Sequence, residues 1–157
     1  MRFKRSTLLG CVLAIAAFGL DQLAKGWAHA RVSHSGVIAA FDGLNIIATT
    51  NTGVAFSLAQ GLPSSILTGV GIALTSVFCI LMIQAQTSLH AAGLGLAIGG
   101  AMGNVADRLR LGSVRDFIDV YWQDHHWPAF NLADAVIVTG LAIVLLFPVR
   151  PLKADTQ

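Results

Sequence analysis

The chain contains 64 consecutive residues, 43–106, without a single Asp, Glu, Lys or Arg. One bilayer crossing needs about 20 apolar residues as a helix, so this stretch has room for two crossings and their connections. Hydrophobic residues make up 55% of the whole chain and charged residues 11%, whereas roughly one quarter of the residues in a soluble domain are charged. The sequence therefore predicts a small multi-pass membrane protein and disfavours a soluble domain.

Four apolar segments have the length of a membrane-spanning helix: about 7–25, 62–83, 90–109 and 131–149. The first also resembles a cleavable signal peptide, but Asp21 and Lys25 interrupt the approach to the Ala-x-Ala site at 28–30, which favours an uncleaved anchor. We predict one integral membrane domain over 1–157, mainly α-helical. Segments 26–61 and 110–130 then lie on the outer, periplasmic side, and both termini are cytoplasmic.

Positive charge does not decide this orientation by count, because five Lys and Arg residues fall on each side. We assign the N-terminus to the cytoplasm because it is densely basic and the first helix usually dominates orientation. The outer cations then need another explanation. A net charge of +2 divided between both ends also provides no basic patch for nucleic acid. The inner set is Arg2, Lys4, Arg5, Arg150 and Lys153, and the outer set is Lys25, Arg31, Arg108, Arg110 and Arg115.

Both outer segments carry strand signals. Asp42-Gly43 separates two apolar runs, 37–41 and 44–50, which is typical of a β-hairpin. In the second segment, apolar residues alternate along 114–122 on one strand face, and Asp116 falls among them. Aromatic residues between 121 and 130 are typical of the membrane interface. We predict a small outer sheet and a short interfacial segment.

The third span carries Gly95, Gly99 and Gly103 at four-residue intervals, a stripe that lets a neighbouring helix approach closely. Asp107 continues this stripe. Asn104 and Arg108 share the adjacent face and would point into the helix bundle or its mouth. A local pair between Asp107 and Arg108 at a solvated helix end explains these charges equally well.

Two acids at the span ends allow structural and functional interpretations. Asp134 follows Asn131 by one turn, and an Asn N-cap with a carboxylate in the first turn stabilises a helix without any further role. An ionisable group at the edge of the hydrocarbon is nevertheless costly and often functional. Asp21 and Lys25 lie four residues apart, and we predict a structural pair within one helix.

The predicted topology places Asp21, Arg108, Asp116 and Asp134 near the outer interface. Two carboxylates held close together share one proton, so one acts as a base and the other as an acid. His125 and His126 lack a carboxylate at metal spacing, so a metal site is the weaker hypothesis. Proton relay in a small proton-coupled transporter or channel subunit remains open, as does a structural envelope adaptor.

Cysteine chemistry offers no alternative to the carboxylates. Cys11 and Cys79 both lie in apolar runs, and they have no disulfide or zinc-ligand spacing. We interpret them as packing residues.

Five motif blocks extend this reasoning to a family. They are DQLAK (21–25), NTGVAFS (51–57), GNVADR (103–108), VRDFI (114–118) and AFNLAD (129–134). Together they closely resemble signal peptidase II, the bacterial lipoprotein signal peptidase family. The resemblance implies that Asp116 and Asp134 form a catalytic dyad and that Asp21, Lys25 and Asp107 are structural residues near the site. The residues that it implies for substrate binding are Asn51, Gly53, Asn104, Arg108 and Asn131.

The resemblance also implies an aspartic endopeptidase of the bacterial inner membrane. Such an enzyme cleaves diacylglyceryl-modified prolipoproteins before the lipidated Cys, near the periplasmic face. A periplasmic β-cradle, surrounding membrane lipids, inhibition by globomycin-type peptides and no cofactor are further implications. Arg115 stands where the family usually has an apolar residue, and Ala135 replaces a frequent Ser. We expect Arg115 to alter the titration of Asp116 or to bind anionic lipid.

Overall fold

The computed structural model describes residues 4–53 and 62–148. They form a mainly helical protein with one small sheet, which confirms the predicted fold class. Residues 54–57 of the second motif block and the tail from 150 lie outside the described residues. The elements in chain order are α1 (Arg5–Ser35), β1 (Ile38–Phe41), β2 (Leu44–Asn51), α2 (Ser64–Gln84), α3 (Ser88–Leu111), β3 (Val114–Trp122), β4 (His125–His126) and α4 (Leu132–Leu146).

Each of the four predicted apolar segments overlaps one of these helices. Helices α1, α2 and α3 are long and apolar enough to cross a membrane. Helix α4 is also apolar but has 15 residues, which extend about 22 Å at about 1.5 Å per residue. That length is shorter than the hydrocarbon core of about 30 Å, and α4 ends before the predicted limit of 149.

Helix α1 extends ten residues beyond the predicted end of the first span. Asp21 and Lys25 do not end the helix because they lie in its interior, fully buried, with Lys25 Nζ 2.8 Å from Asp21 Oδ2. This confirms the predicted intrahelical pair. The helix ends only at Gly36, whose φ of 71° suits a residue without a side chain. Its last ten residues therefore stand beside the sheet.

Helix α3 is the centre of the bundle and packs against the other three helices. A Cβ atom at Gly95 would overlap the backbone of Gly10 in α1, and one at Gly99 would overlap Ala14. This confirms the predicted stripe of close approach. On another face of α3, Gly93 makes a similarly close contact with Gly140 of α4. Small residues thus allow α3 to contact α1 and α4 backbone to backbone.

The four strands form an antiparallel sheet in the order β1-β2-β3-β4 at one end of the bundle. The predicted hairpin and the predicted strand over 114–122 are both confirmed. An irregularity in β2 between Ile46 and Thr49 places Thr49 opposite Asp116. After β4 the chain returns along β3, and Phe130 pairs with Ile118. This return brings the start of α4 beside Asp116.

Candidate active site

Asp116 and Asp134 come from different elements, and Asn131 lies between them. Asn131 Nδ2 donates to Asp116 Oδ1 at 2.6 Å. Its Oδ1 accepts from the backbone N–H of Asp134 at 3.0 Å, while Asp134 Oδ2 accepts from the backbone N–H of Asn131 at 3.3 Å. The predicted N-cap is therefore present as a reciprocal capping box. The same side chain that caps α4 also holds the second carboxylate.

The carboxyl group of Asp116 is almost completely enclosed, since the residue is only 2% exposed. Burial raises its pKa to about 6; the hydrogen bond from Asn131 opposes this shift, and the negative charge of Asp134 adds to it. Asn51 also makes a side-chain hydrogen bond to Asp116. His29 Nε2 lies 3.3 Å from the backbone oxygen of the same residue. Asp116 thus keeps its proton to a higher pH than an ordinary aspartate does.

Asp134 is held from the opposite side by α3. Asn104 Nδ2 donates to Asp134 Oδ1 at 2.8 Å, and Asn104 Oδ1 accepts from Lys25 Nζ at 3.0 Å and from Asn131 Nδ2 at 3.3 Å. The amide side chains of Asn104 and Asn131 therefore connect the two carboxylates through hydrogen bonds. The structure brings these four predicted site residues into one hydrogen-bonded cluster.

A second group of charges lies directly behind this cluster. Asp107 is fully buried; Arg115 donates to it from its backbone N–H and from its guanidinium, with Nη2 2.8 Å from Oδ1. Lys25 Nζ lies 3.5 Å from Asp107 Oδ2. Gln22 donates to Asp107 at 3.2 Å and accepts from Arg115 at 3.2 Å. This arrangement joins α1, α3 and β3, and we call Asp21, Gln22, Lys25, Asp107 and Arg115 the ionic cluster.

The ionic cluster corrects two expectations. Asp107 does not pair with Arg108, because its carboxylate is taken by Arg115 and Lys25 from other elements. The guanidinium of Arg115 binds Asp107 and Gln22, so it is not a free cation for anionic lipid, which was one of its two expected roles. Sequence reasoning missed Gln22, although it lies within the first motif block. The cluster also explains two of the outer cations, Lys25 and Arg115.

Arg108 points to a different neighbour. Its Nη2 donates to the backbone oxygen of Gly53 at 2.7 Å, and its Nη1 lies 3.5 Å from the backbone oxygen of Asn104. Within the described part of the chain, its buried Nε has no hydrogen-bond partner. Asn51 accepts from the backbone N–H of Gly53 at 2.8 Å. Arg108 therefore joins α3 to the end of β2 and retains one buried donor.

His125 and His126 lie in β4, away from both aspartates of the dyad. His126 Nδ1 is 2.7 Å from Asp119 Oδ1, and Asn45 donates to Asp119 Oδ2 at 3.0 Å. Burial raises the pKa of Asp119, but the bonds to His126 and Asn45 outweigh it and hold the pKa below its usual value. Among residues 4–53 and 62–148, no three His, Cys, Asp or Glu side chains converge as metal ligands would. The contact between His126 and Asp119 therefore holds β4 against β3.

Three cavities open onto the dyad and its amides. The apolar cavity, about 370 Å³, lies between residues 127–130 and α4, and Asp134 lines it. The polar cavity, about 180 Å³, is bounded by residues 49–52, Pro128 and Ala129, and Asp116 lines it. The interhelical groove, about 240 Å³, runs between α2, α3 and α4 and ends at Asn104 and Arg108. The cavity beside Asp116 is thus polar, whereas the cavity beside Asp134 and the interhelical groove are mainly apolar.

Comparisons with known proteins give consistent sequence matches over most of this chain. A family model described as signal peptidase (SPase) II matches residues 13–150. The lipoprotein signal peptidase of Anaplasma marginale is 35% identical over 147 residues, which cover 92% of this chain and 86% of that protein. The lipoprotein signal peptidase of Tolumonas auensis is 39% identical, with 85% of each chain covered.

Solved structures are similar in fold. A bacterial membrane enzyme determined by the in meso method superposes with a TM-score of 0.75 at 22% identity, covering 87% of this chain and 85% of the other. A second structure of this kind has a TM-score of 0.72 and covers 90% of its own chain.

Proposed function

The chain belongs to the signal peptidase II family, and we propose that it removes signal peptides from diacylglyceryl-modified prolipoproteins by cutting before the lipidated Cys. It is a protease and a multi-pass membrane protein. The observation that carries the proposal is Asn131, which donates to Asp116 and shares a capping box with Asp134. One amide thereby holds two carboxylates beside three cavities.

In the proposed reaction, Asp116 and Asp134 share one proton before substrate enters. The ionised carboxylate takes a proton from water as the water oxygen attacks the scissile carbonyl carbon. The protonated carboxyl donates a hydrogen bond to the carbonyl oxygen, where negative charge develops. As the tetrahedral intermediate collapses, the carbon–nitrogen bond breaks and the proton taken from water passes to the departing nitrogen. A new carboxyl terminus and the amine of the lipidated Cys result.

Arg108 is the group that we propose to orient the substrate. Its Nη2 already donates to Gly53, and its buried Nε has no partner in the described part of the chain. A buried donor without a partner costs free energy, which a peptide carbonyl would recover. Asn51, Gly53 and Asn104 complete this side of the site. The polar cavity would hold extended peptide, and the apolar cavity and interhelical groove would hold acyl chains and the signal peptide.

We further propose that the sheet end of the bundle faces the periplasm and that both termini are cytoplasmic. Exported prolipoproteins reach the site only in this orientation. Cysteines introduced at Ser35 and Gln123, at the sheet end, should react with an impermeant thiol reagent in intact spheroplasts. A cysteine at Gln86, in the turn between α2 and α3, is the matched control and should not react. The reverse pattern would contradict this orientation and the function with it.

Purified protein in lipid, incubated with a diacylglyceryl-modified prolipoprotein, tests the function directly. We expect release of the signal peptide, and we expect a globomycin-type cyclic peptide to block it. The same preparation in sealed vesicles distinguishes the transporter hypothesis, since a proton-coupled transporter would move protons across the vesicle membrane. Proton flux without cleavage would overturn the proposal.

A further inference from the structure

Asp116 and Asp134 have different surroundings, and one source of this difference is Lys25. This side chain is fully buried in α1, and its Nζ lies 2.8 Å from Asp21, 3.0 Å from Asn104 Oδ1 and 3.5 Å from Asp107. We infer that Lys25 is a positioning residue that acts through Asn104 to keep Asp134 as the ionised base, leaving Asp116 as the proton carrier. The inference rests on the proposed aspartic mechanism and assigns a role to each carboxylate.

The orientation of the Asn104 amide carries the first step. A lysine ammonium has three donors and no acceptor, so the atom of Asn104 that faces Lys25 must be oxygen. Asn131 Nδ2 donates to the same oxygen at 3.3 Å, which reinforces this orientation. The amide NH₂ must then face Asp134 Oδ1, at 2.8 Å. An NH₂ group only donates, so this position favours a carboxylate oxygen over a protonated one.

The second carboxylate oxygen of Asp134 is also used as an acceptor. Asp134 Oδ2 accepts from the backbone N–H of Asn131 at 3.3 Å. Asp134 lies in the first turn of α4, where the helix dipole stabilises negative charge. Asp116 lies on a strand, without a helix dipole, and is only 2% exposed. The helix dipole and the greater exposure of Asp134 both favour charge on Asp134. The number of donors does not divide the dyad, because Asp116 also accepts from Asn131 and Asn51. What differs is that Asn104, the side-chain donor to Asp134, itself accepts from Lys25.

The charges that surround the two carboxylates support sharing of a single proton. The groups that face one another here are Asp21 and Lys25 from α1, Asp107 and Arg108 from α3, Arg115 and Asp116 from β3, and Asp134 from α4. With every group ionised, the set has one more negative charge than positive. Repulsion between the charges of Asp116 and Asp134 favours one bound proton on this pair, and the excess negative charge of the set adds to this preference. Lys25 and Asn104 decide where that proton resides.

Infrared difference spectra of the intact protein in lipid test this assignment. Near pH 5 we expect a protonated carboxyl stretch in wild type that shifts in frequency in Asp116→Glu and keeps its wild-type frequency in Asp134→Glu, and both variants leave the number of charges unchanged. A shifted band in Asp134→Glu, with an unshifted band in Asp116→Glu, would overturn the assignment. This measurement does not require substrate, so it stays informative if the proposed cleavage fails.

Lys25→Met tests the positioning role, and we combine it with a second substitution that limits the loss of stability. Lys25→Met leaves Asp21 and Asp107 with excess negative charge, so we pair it with Asp21→Asn, which removes one buried charge. We expect the double variant to have wild-type thermal stability and kcat reduced about tenfold or more with little change in KM. Its net charge equals that of wild type, so we expect one proton that is no longer confined to Asp116 and a protonated carboxyl band divided between two frequencies. Wild-type kcat and a wild-type spectrum in a stable double variant would make Lys25 merely structural. Failure of wild type to cleave would instead refute the proposed function.

Discussion

Two pairs of aspartates lie within one end of this molecule, and they differ in what surrounds them. Asp21 and Asp107 contact cations: Lys25 lies 2.8 Å from Asp21, and Arg115 lies 2.8 Å from Asp107. The carboxylates of Asp116 and Asp134 contact amides instead. A nearby cation favours the charged form of a carboxylate, whereas a neutral amide adds no charge and lets a proton move between two carboxyl groups. In the proposed function, the same residue type is structural in one setting and catalytic in the other.

The two pairs also differ in whether they are accessible from a cavity. Asp21 and Asp107 are fully buried and line none of the three cavities described above. Asp116 lines the polar cavity and Asp134 lines the apolar cavity. In the proposed function, substrate reaches the amide-bound pair through these cavities, while the cation-bound pair holds α1, α3 and β3 together. Each prediction below tests this division.

The largest effect should come from the amide-bound pair. Asp116→Asn and Asp134→Asn each remove an acid or a base, so we expect cleavage to fall by about 10²–10⁴-fold or more with folding retained. The measurement is signal-peptide release from a lipidated prolipoprotein. Asp124→Asn, at an exposed turn, is the control and should be silent. Near-normal cleavage by either dyad variant would remove the distinction between the two pairs.

Asp107→Asn should act on stability instead. The change leaves Arg115 and Lys25 without their shared partner in a buried setting, which typically costs about 3–5 kcal/mol of unfolding free energy. Reversible denaturation in mixed micelles measures this loss. Asp42→Asn, an exposed acid in the hairpin turn, is the matched control. Equal stability of the two variants would mean that the ionic cluster does not hold the elements together.

Arg108 lies beside the amide-bound pair, and its replacement should have an intermediate effect on cleavage. A planar guanidinium can bind Gly53 and a substrate carbonyl together, which a single ammonium cannot. We expect Arg108→Lys to lower kcat/KM about tenfold or more, with Arg110→Lys as a nearly silent control. Equal and mild effects at both positions would place Arg108 at a solvated helix end.

The pH dependence of the reaction should follow Asp116. Because burial raises the pKa of this group to about 6, its proton is present below that pH and is lost above it. If Asp116 is the acid, kcat/KM falls as the pH rises through about 6 in the free enzyme. Asn51→Ala removes a bond that lowers this pKa, so the decline should move to higher pH. A decline that moves to lower pH in this variant would contradict the assignment.

Chelators should have the smallest effect, because the proposed mechanism activates water with carboxylates. We expect cleavage to continue at the same rate after prolonged exposure to a strong chelator. Loss of activity that zinc restores would point to metal chemistry and return attention to His125 and His126.

Sequence periodicity predicted much of this fold because its signals are local. The four apolar segments, the Asp-Gly hairpin, the Asn131 cap and the Asp21–Lys25 pair each depend on residues within a few turns of one another. Resemblance to a family, not spacing, selected Asp116 and Asp134 from the eight aspartates.

The remaining features depend on distant pairings that local patterns do not encode. Gln22 and Arg115 are 93 residues apart, and Asn45 and Asp119 are 74 apart. Asp107 and Arg108 are adjacent in sequence, so a local pair was an equally good interpretation until β3 placed Arg115 against Asp107. The length of α1 was underestimated because a buried ion pair inside a helix looks like a helix end in sequence.

Turnover per folded molecule, compared between Asp134→Asn and Asp107→Asn, tests the division between the two pairs most directly. The folded fraction of each variant is measured first, and signal-peptide release is then divided by it. We predict that folded Asp134→Asn releases less than about a hundredth of the wild-type amount, while folded Asp107→Asn retains most of its activity. Active Asp134→Asn together with folded but inactive Asp107→Asn would show that the catalytic carboxylates lie in the ionic cluster, and it would contradict the proposed site.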